Sequence, residues 1–360
     1  MSIIAHVRSL SPASPRRLSR VGLFVALALL IAGLTAVVLL AGCGGDANTV
    51  VVYTSLDQVF SEPILDDFEA ETGITVKAVY DVEAAKTTGL VNRLVAESGN
   101  PQADVFWSSE FAQTIMLKDE GVLQPYDSPS AADIPEQYRD PDDYWTGFAA
   151  RARVIIVNTE LVAEEDYPQS IYDLLDPSWG DNEVGIANPL FGTTATHAAA
   201  LFAALGDEEA QAFFESLLDR NVRVVDGNSV VRDMVVSGEL KVGLTDTDDA
   251  HIALADGEPV EIIFPDQDEL GTLLIPNTVA MVKGAPHQEQ AEQLIDYLLS
   301  PELEATLAAS ESVQMPVRGN VTGPADMPDL SELRGMDVHP NDVAAEMSTS
   351  SEWLKDVFLQ

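Results

Sequence analysis

Three observations on the sequence predict an α/β fold of two lobes. Strand-like and helix-like segments alternate along nearly the whole chain after residue 48, and near-continuous apolar strands of that kind belong in a sheet covered on both faces. Two such series are joined by extended crossings near Gly147 to Asn158 and Leu270 to Met281. The strand ends share one chemistry, small, hydroxyl-bearing or acidic, as the rim of a ligand cleft would.

In chain order, "TVVVYTS" reads as a buried strand, "LDQVFSEPILDDFEAETG" as a helix ended by Gly73, and "ITVKAVY" as a second strand. "EAAKTTGLVNRLVAESG" is helical, "ADVFWSS" a strand, and "EFAQTIMLKDEG" a helix closed by Gly121. Glycine just past a helix accepts the left-handed conformation that ends it. The polar, proline-rich "QPYDSPSAADIPEQYRDPDDYW" breaks the pattern as a surface excursion. "TGFAARARVIIVNTE" returns to strand, and a second series follows through "EVGIANP", "TTATHAAALFAALG", "DEEAQAFFESLLDR", "NVRVVDG", "NSVVRDMVVSG", "LKVGLTD" and "HIALADG". After "VEIIFPDQDELGTLLIPNTVAMVKG" come helices at "HQEQAEQLIDYLLS" and "PELEATLAAS", and "NDVAAEMSTSSEWLKDVFLQ" predicts a terminal amphipathic helix. Lobe 1 is expected from residues 49–148 and 276–360, and lobe 2 from residues 149–275.

The first twenty residues carry four arginines and no acid, and Val21 to Gly42 form an uncharged apolar run. Residues 1–42 thus have the layout of a secretory signal, with residues 43–48 as a linker. An uncleaved membrane span is the alternative for a run of that length. "LAGCGG" at its end resembles the lipobox of bacterial lipoproteins, which implies cleavage before Cys43 and lipidation of its thiol. Cys43 is the single cysteine, so no disulfide and no thiolate metal site can form within the chain. The expected location is outside the cytoplasm, anchored by lipid at the outer face of the cytoplasmic membrane or in the periplasm.

The net charge is −40, and removing the leader takes away four arginines and no acid. Nucleic acid is excluded as a partner at that charge, as is electrostatic adhesion to an anionic lipid surface. Acids spread along the whole chain describe a solvated surface that resists self-association, and a monomer is expected.

"VGLTDTDDAHIALADGE" concentrates aspartates at one strand-to-helix junction. Counted from Asp246, an EF-hand needs glycine sixth and glutamate twelfth, where His251 and Gly257 stand, so that loop is excluded. Asp246 and Asp249 have the spacing of a helix N-cap and its N3 partner. The other junctions, "YTSLD", "FWSSE", "NPLFGTTAT" and "VDGNSV", place Ser55, Asp57, Ser108, Ser109, Glu110, Gly192, Thr193, Thr194, Asn228 and Ser229 beside Thr245 and Asp246 as candidate ligand contacts. Gly192, Thr193 and Thr194 open a helix either as an ordinary threonine cap or as donors to a small oxyanion. Arg151 and Arg153 lie two apart, on one face of a strand, to pair with a buried acid or to meet an anion. His197 and His251 read as helix residues, not ligands.

Together, "VVYTS" with "FEAETGITVK", "ADVFW", "ARARVIIVN", "NSVVRDMVVSGELKVGLTDTDD" and "IDYLLSPE" resemble the type II solute-binding proteins of bacterial ABC importers, in the branch of the ferric-iron-binding proteins. The resemblance covers most of the chain beyond the leader. It implies a periplasmic-binding-protein-like fold with the cleft between two lobes, a receptor and not an enzyme, a membrane permease as partner, and Fe(III) with a synergistic anion as cargo. Ferric members usually hold iron with two adjacent tyrosines after the strand matching "VGLT"; here Asp248 and Asp249 stand there as candidate metal ligands. Asp57 and Glu110 would add oxygens from the other lobe. A small organophosphorus or carboxylate anion is the alternative cargo. A surface hydrolase is the alternative from another class, and against it no G-x-S-x-G or H-E-x-x-H occurs.

Overall fold

The computed structural model describes residues 48–81 and 87–358. Asn48–Gln360 forms one compact unit. Cys43, the expected leader and part of the expected helix at residues 83–99 fall outside the described residues.

The first series forms β1 (Thr49–Thr54), α1 (Gln58–Thr72), β2 (Thr75–Tyr80), α2 (Thr88–Glu97), β3 (Val105–Ser108), α3 (Ala112–Asp119) and β4 (Leu123–Gln124). α1 ends as expected, with Gly73 at φ 70° donating its N–H to the Glu69 carbonyl. The 13-residue β5 (Thr146–Asn158) is buried along its whole length. Then come β6 (Val184–Ala187), α4 (Gly192–Leu205), α5 (Asp207–Asp219), β7 (Arg223–Val225), α6 (Asn228–Val236), β8 (Val242–Asp246), α7 (Thr247–Ala255) and β9 (Val260–Ile263). β10 (Leu274–Val282), α8 (Gln288–Leu298), α9 (Pro301–Ala309) and α10 (Pro340–Phe358) complete the chain.

The strands run in the order β2-β1-β3-β10-β5-β8-β6-β7, with β4 on β10 and β9 on β5. β5 joins two halves of this sheet. Its first residues, Thr146 to Ala152, pair antiparallel with β10. From Arg153 onward it pairs with β8, and Ile155 to Asn158 pair also with β9. Ahead of the junction, at Ala149, the register against β10 shifts between Pro276 and Asn277, where proline has no N–H to give the ladder.

Strand alternation assigns each half a core on either face. Val52, Trp107, Phe148 and Met281 lie on one face of the first half, and Tyr53, Phe106 and Ala280 on the other. In the second half Ile155, Val157 and Leu244 oppose Val154, Ile156 and Val231. Two helices take part in both halves. Ala195, Ala199 and Ala200 of α4 pack with Phe111, Ala112 and Ile115, whereas Ala198, Leu201 and Phe202 join the second half. The expected terminal helix is α10, with Val343, Ala344 and Met347 in one cluster and Leu354 in the other. Among the described residues no helix is long and apolar enough to cross a membrane.

Candidate functional site

Arg153 and Asp246 are direct neighbours across the β5–β8 ladder. The antiparallel pairing therefore sets two opposite charges face to face inside the protein. Arg153 Nη1 donates to Asp246 Oδ1 at 2.6 Å, with the side chains 0% and 2% exposed. Asp246 Oδ2 accepts from Thr193 Oγ1 at 2.6 Å and from Asn228 Nδ2 at 3.0 Å. Burial works to raise the Asp246 pKa, but Arg153 and then Arg151 outweigh it and hold the carboxyl below its usual range. Asp246 occupies the N-cap position of α7 but makes no side-chain cap bond. The expected capping pair with Asp249 is thus not formed, because a buried guanidinium is a stronger partner for the carboxylate than a helix N–H. α7 begins at Thr247, as the expected N-cap at Asp246 requires, which puts Asp248 and Asp249 in its first turn.

Arg151, two residues before Arg153 and on the same face, donates to Asp248 Oδ2 at 3.0 Å and lies 3.8 Å from Asp246. Its Nη2 also reaches the Ser109 carbonyl, so one guanidinium ties the β8–α7 junction to the β3–α3 loop. Burial opposes its charge, and Asp248, Asp246 and Asp57 in turn raise its pKa above the ordinary arginine value. Asp57, half-buried at the start of α1, therefore faces the same field. Asp249 pairs with Arg232 of α6 at 3.4 Å. Oxygens of Asp246, Asp248 and Asp249 all lie within 4.8 Å of one another. That spacing suits a single hard cation, and each carboxylate already has an arginine counter-charge.

Beside this cluster is a cavity of about 20 Å³, the space of roughly one water. Gly192, Thr193 and Thr194 at the start of α4 line it, with Gly227 and Asn228 at the start of α6, and Ser109, Arg151 and Asp246 close it. Neither helix has a side-chain cap: the N-cap residues are Phe191 and Gly227. The expected threonine cap is absent because Thr193 spends its hydroxyl on Asp246 and Thr194 turns to Asn228 Oδ1 at 3.4 Å. First-turn N–H groups left uncapped favour an anion. Gly192 has φ 55°, the left-handed region that lets a backbone turn sharply into the cavity. Arg151 Nε and Arg153 Nε and Nη2 are buried and find no hydrogen-bond partner among the described residues.

The remaining candidates support the site without lining the cavity. Ser55 Oγ accepts the Ser109 N–H at 2.9 Å and donates to Ser109 Oγ at 3.2 Å. Thr245 Oγ1 binds the Asn228 carbonyl at 3.2 Å, fixing the start of α6. Ser229 lies in the first turn of α6. Ser108 Oγ donates to Glu110 Oε1 at 3.4 Å, and Glu110 is turned into the protein to accept the Ala112 and Gln113 N–H groups of α3. His197 is a buried residue of α4 whose pKa burial, then Arg153, lowers to about 3. His251 lies within α7.

The family described as bacterial extracellular solute-binding protein matches residues 100–342. The chain belongs to that family. This solute-binding protein is 30% identical over 289 residues to iron uptake protein A1 of a Synechocystis strain, covering 77% of this chain and 78% of that protein. It is also 30% identical over 343 residues to a Salmonella typhi periplasmic protein provisionally named for binding 2-aminoethylphosphonate, covering 89% and 96%. Its fold matches a ferric binding protein from Campylobacter jejuni at a TM-score of 0.77 and 24% identity, over 86% of this chain and 99% of that one. The fold is the two-lobed, type II periplasmic one that the sequence predicted.

The solute-binding protein's cavity is also lined by Ala187, Asn188, Phe191 and Asp226, none of which was singled out from the sequence. All four fall within or beside strand-end segments that do carry candidates, so the junction chemistry was the available signal. Arg232 gave no such signal, because its partner Asp249 is met only when α6 and α7 pack together.

Proposed function

We propose that this chain is the cargo-binding receptor of an ABC importer, that it captures ferric iron, and that it works as a binding protein and not an enzyme. The observation that carries the metal is the approach of Asp246, Asp248 and Asp249 to within 4.8 Å. Fe(III) is a hard cation that favours such oxygens. Asp248 and Asp249 lead the set, and Asp57 faces them from the other lobe. The three arginines nearby balance the three aspartates, so an incoming trivalent cation needs an accompanying anion or chelator. The relatives named for iron support this reading. Lobes at residues 49–148 with 276–360 and at 149–275 would close about β5 and β10, since a cavity of one water's size admits a hydrated or chelated ion only when its walls part. A permease in the membrane takes the cargo, and lipidation of Cys43 keeps the receptor near it.

A second reading is favoured by one specific observation: two uncapped helix starts and the guanidinium of Arg151 line one cavity where a phosphonate or carboxylate would fit. The phosphonate-named relative agrees with it. Native mass spectrometry and thermal shifts of Asn48–Gln360 separate the two. Ferric citrate, and Fe(III) with carbonate or phosphate, should stabilise the protein, and 2-aminoethylphosphonate alone should not. The reverse result assigns the anion and overturns the iron reading.

A further inference from the structure

Glu110 is fully buried and fixed to the first half of the sheet from three sides. Its carbonyl accepts Thr278 Oγ1 of β10 at 3.0 Å, and Thr278 is bonded to Thr114 of α3 at 2.7 Å. Its carboxylate accepts the Ala112 N–H at 2.6 Å and the Gln113 N–H at 3.1 Å. These are first-turn donors of α3, which favour a carboxylate at that end of the helix. One further bond leaves this half. Thr196 Oγ1, on α4, donates to Glu110 Oε2 at 2.9 Å.

The same hydroxyl lies 3.5 Å from the Gly192 carbonyl, one turn back in α4. Thr196 therefore has two acceptors, one across the lobe boundary and one at the cavity wall. Separation of the halves would cost it the first and leave it the second. The neighbouring Ser109 makes a second polar crossing at the back of the cavity, through Arg151 to Asp248. Both crossings start from one loop, β3–α3, directly behind the cavity.

We propose that Thr196 and Glu110 form the latch that holds the lobes closed, with Glu110 a positioning residue and not a ligand of the cargo. The latch rests on the two-lobed clamp and not on the identity of what it holds. A hydroxyl-to-carboxylate bond made only in the closed state slows opening, so it sets the release rate and leaves capture unchanged. Burial, which pushes the Glu110 pKa up to about 7, shows how far the closed arrangement keeps water from this carboxylate.

The test uses Asn48–Gln360, which lacks cysteine, with spin labels at Asp67→Cys on α1 and Glu215→Cys on α5, both exposed. Pulsed dipolar distances are measured without cargo, and release of Fe(III) supplied as ferric citrate is followed by stopped flow. Thr196→Val and Thr196→Ala should both shift the distances toward longer separations and speed release about tenfold, with association unchanged. Thr196→Ser should restore both. If neither variant changes the distances, or only one does, the bond is not a latch. If the wild-type protein ignores ferric citrate, the iron reading falls and the distances alone decide the latch.

Discussion

Replacing Arg153 with methionine should destabilise the protein, by an amount that the geometry of Asp246 sets. The pair is almost wholly buried and meets at 2.6 Å. Removing one partner of such a pair costs about 3–5 kcal/mol, because the other charge stays behind in a medium that solvates it poorly. Here Asp246 keeps Thr193 at 2.6 Å, Asn228 at 3.0 Å and Arg151 at 3.8 Å, so the loss belongs at the bottom of that range, about 3 kcal/mol. With an unfolding entropy of about 2.1 cal/mol/K per residue over roughly 310 residues, that corresponds to a melting temperature lower by about 5 °C. Adding Asp246→Asn removes the stranded charge and should recover most of the loss, a coupling of about 2 kcal/mol. Circular dichroism melts and urea titrations of the two single variants and the double variant measure it. A single variant melting within 1 °C of wild type, or strictly additive losses, would refute the argument.

Gly192→Ala forces a side chain into the left-handed region and should cost about 1–2 kcal/mol, or about 2–3 °C of melting temperature; an unchanged melt would show the turn to be unstrained. Two buried groups give the stability a readable pH dependence. Glu110, raised from 4.5 to about 7, lets the folded state hold a proton that the unfolded chain has released, so its contribution falls as pH rises between those values. His197, lowered from 6.5 to about 3, refuses a proton that the unfolded chain binds, so its contribution falls as pH drops through that window. Their slopes oppose each other between about pH 4.5 and 6.5, and Glu110→Gln should leave a stability that climbs through this range more steeply than wild type. Equal slopes in denaturant titrations across that range would contradict the Glu110 assignment. Cys43→Ala should abolish metabolic lipid labelling, and labelling that persists would remove the anchor.

Much of the fold was legible because its signals are local. β5 shows as an apolar strand interrupted only by Arg151 and Arg153, whose two-residue spacing places both on one face, and Gly73 marks the end of α1. The junction residues were also visible, since strand ends in such sheets face ligands by construction. What the sequence hid depends on distant partners. Asp246 has the spacing of a cap, yet its carboxylate goes to Arg153, whose strand lies far away in the chain. Glu110 has the look of a ligand at a strand end, yet the start of α3 and Thr196 claim both its oxygens. Asp249 and Arg232 meet only through the packing of α6 on α7. Periodicity reports which face a side chain takes, but not which of several polar groups on that face it meets.

Whether the aspartates of the β8–α7 junction hold a ferric ion is decided by calorimetric titration of ferric citrate into wild type and Asp248→Asn/Asp249→Asn. Asp248→Asn strands the buried guanidinium of Arg151, its partner at 3.0 Å, so the double variant should melt a few degrees below wild type without cargo, and the titrations are run well below both transitions. Affinity for ferric citrate should fall by orders of magnitude in the double variant, because two anionic ligands are gone. An affinity unchanged within error, or raised, would contradict ferric binding there and leave the arginines and helix starts to bind the cargo.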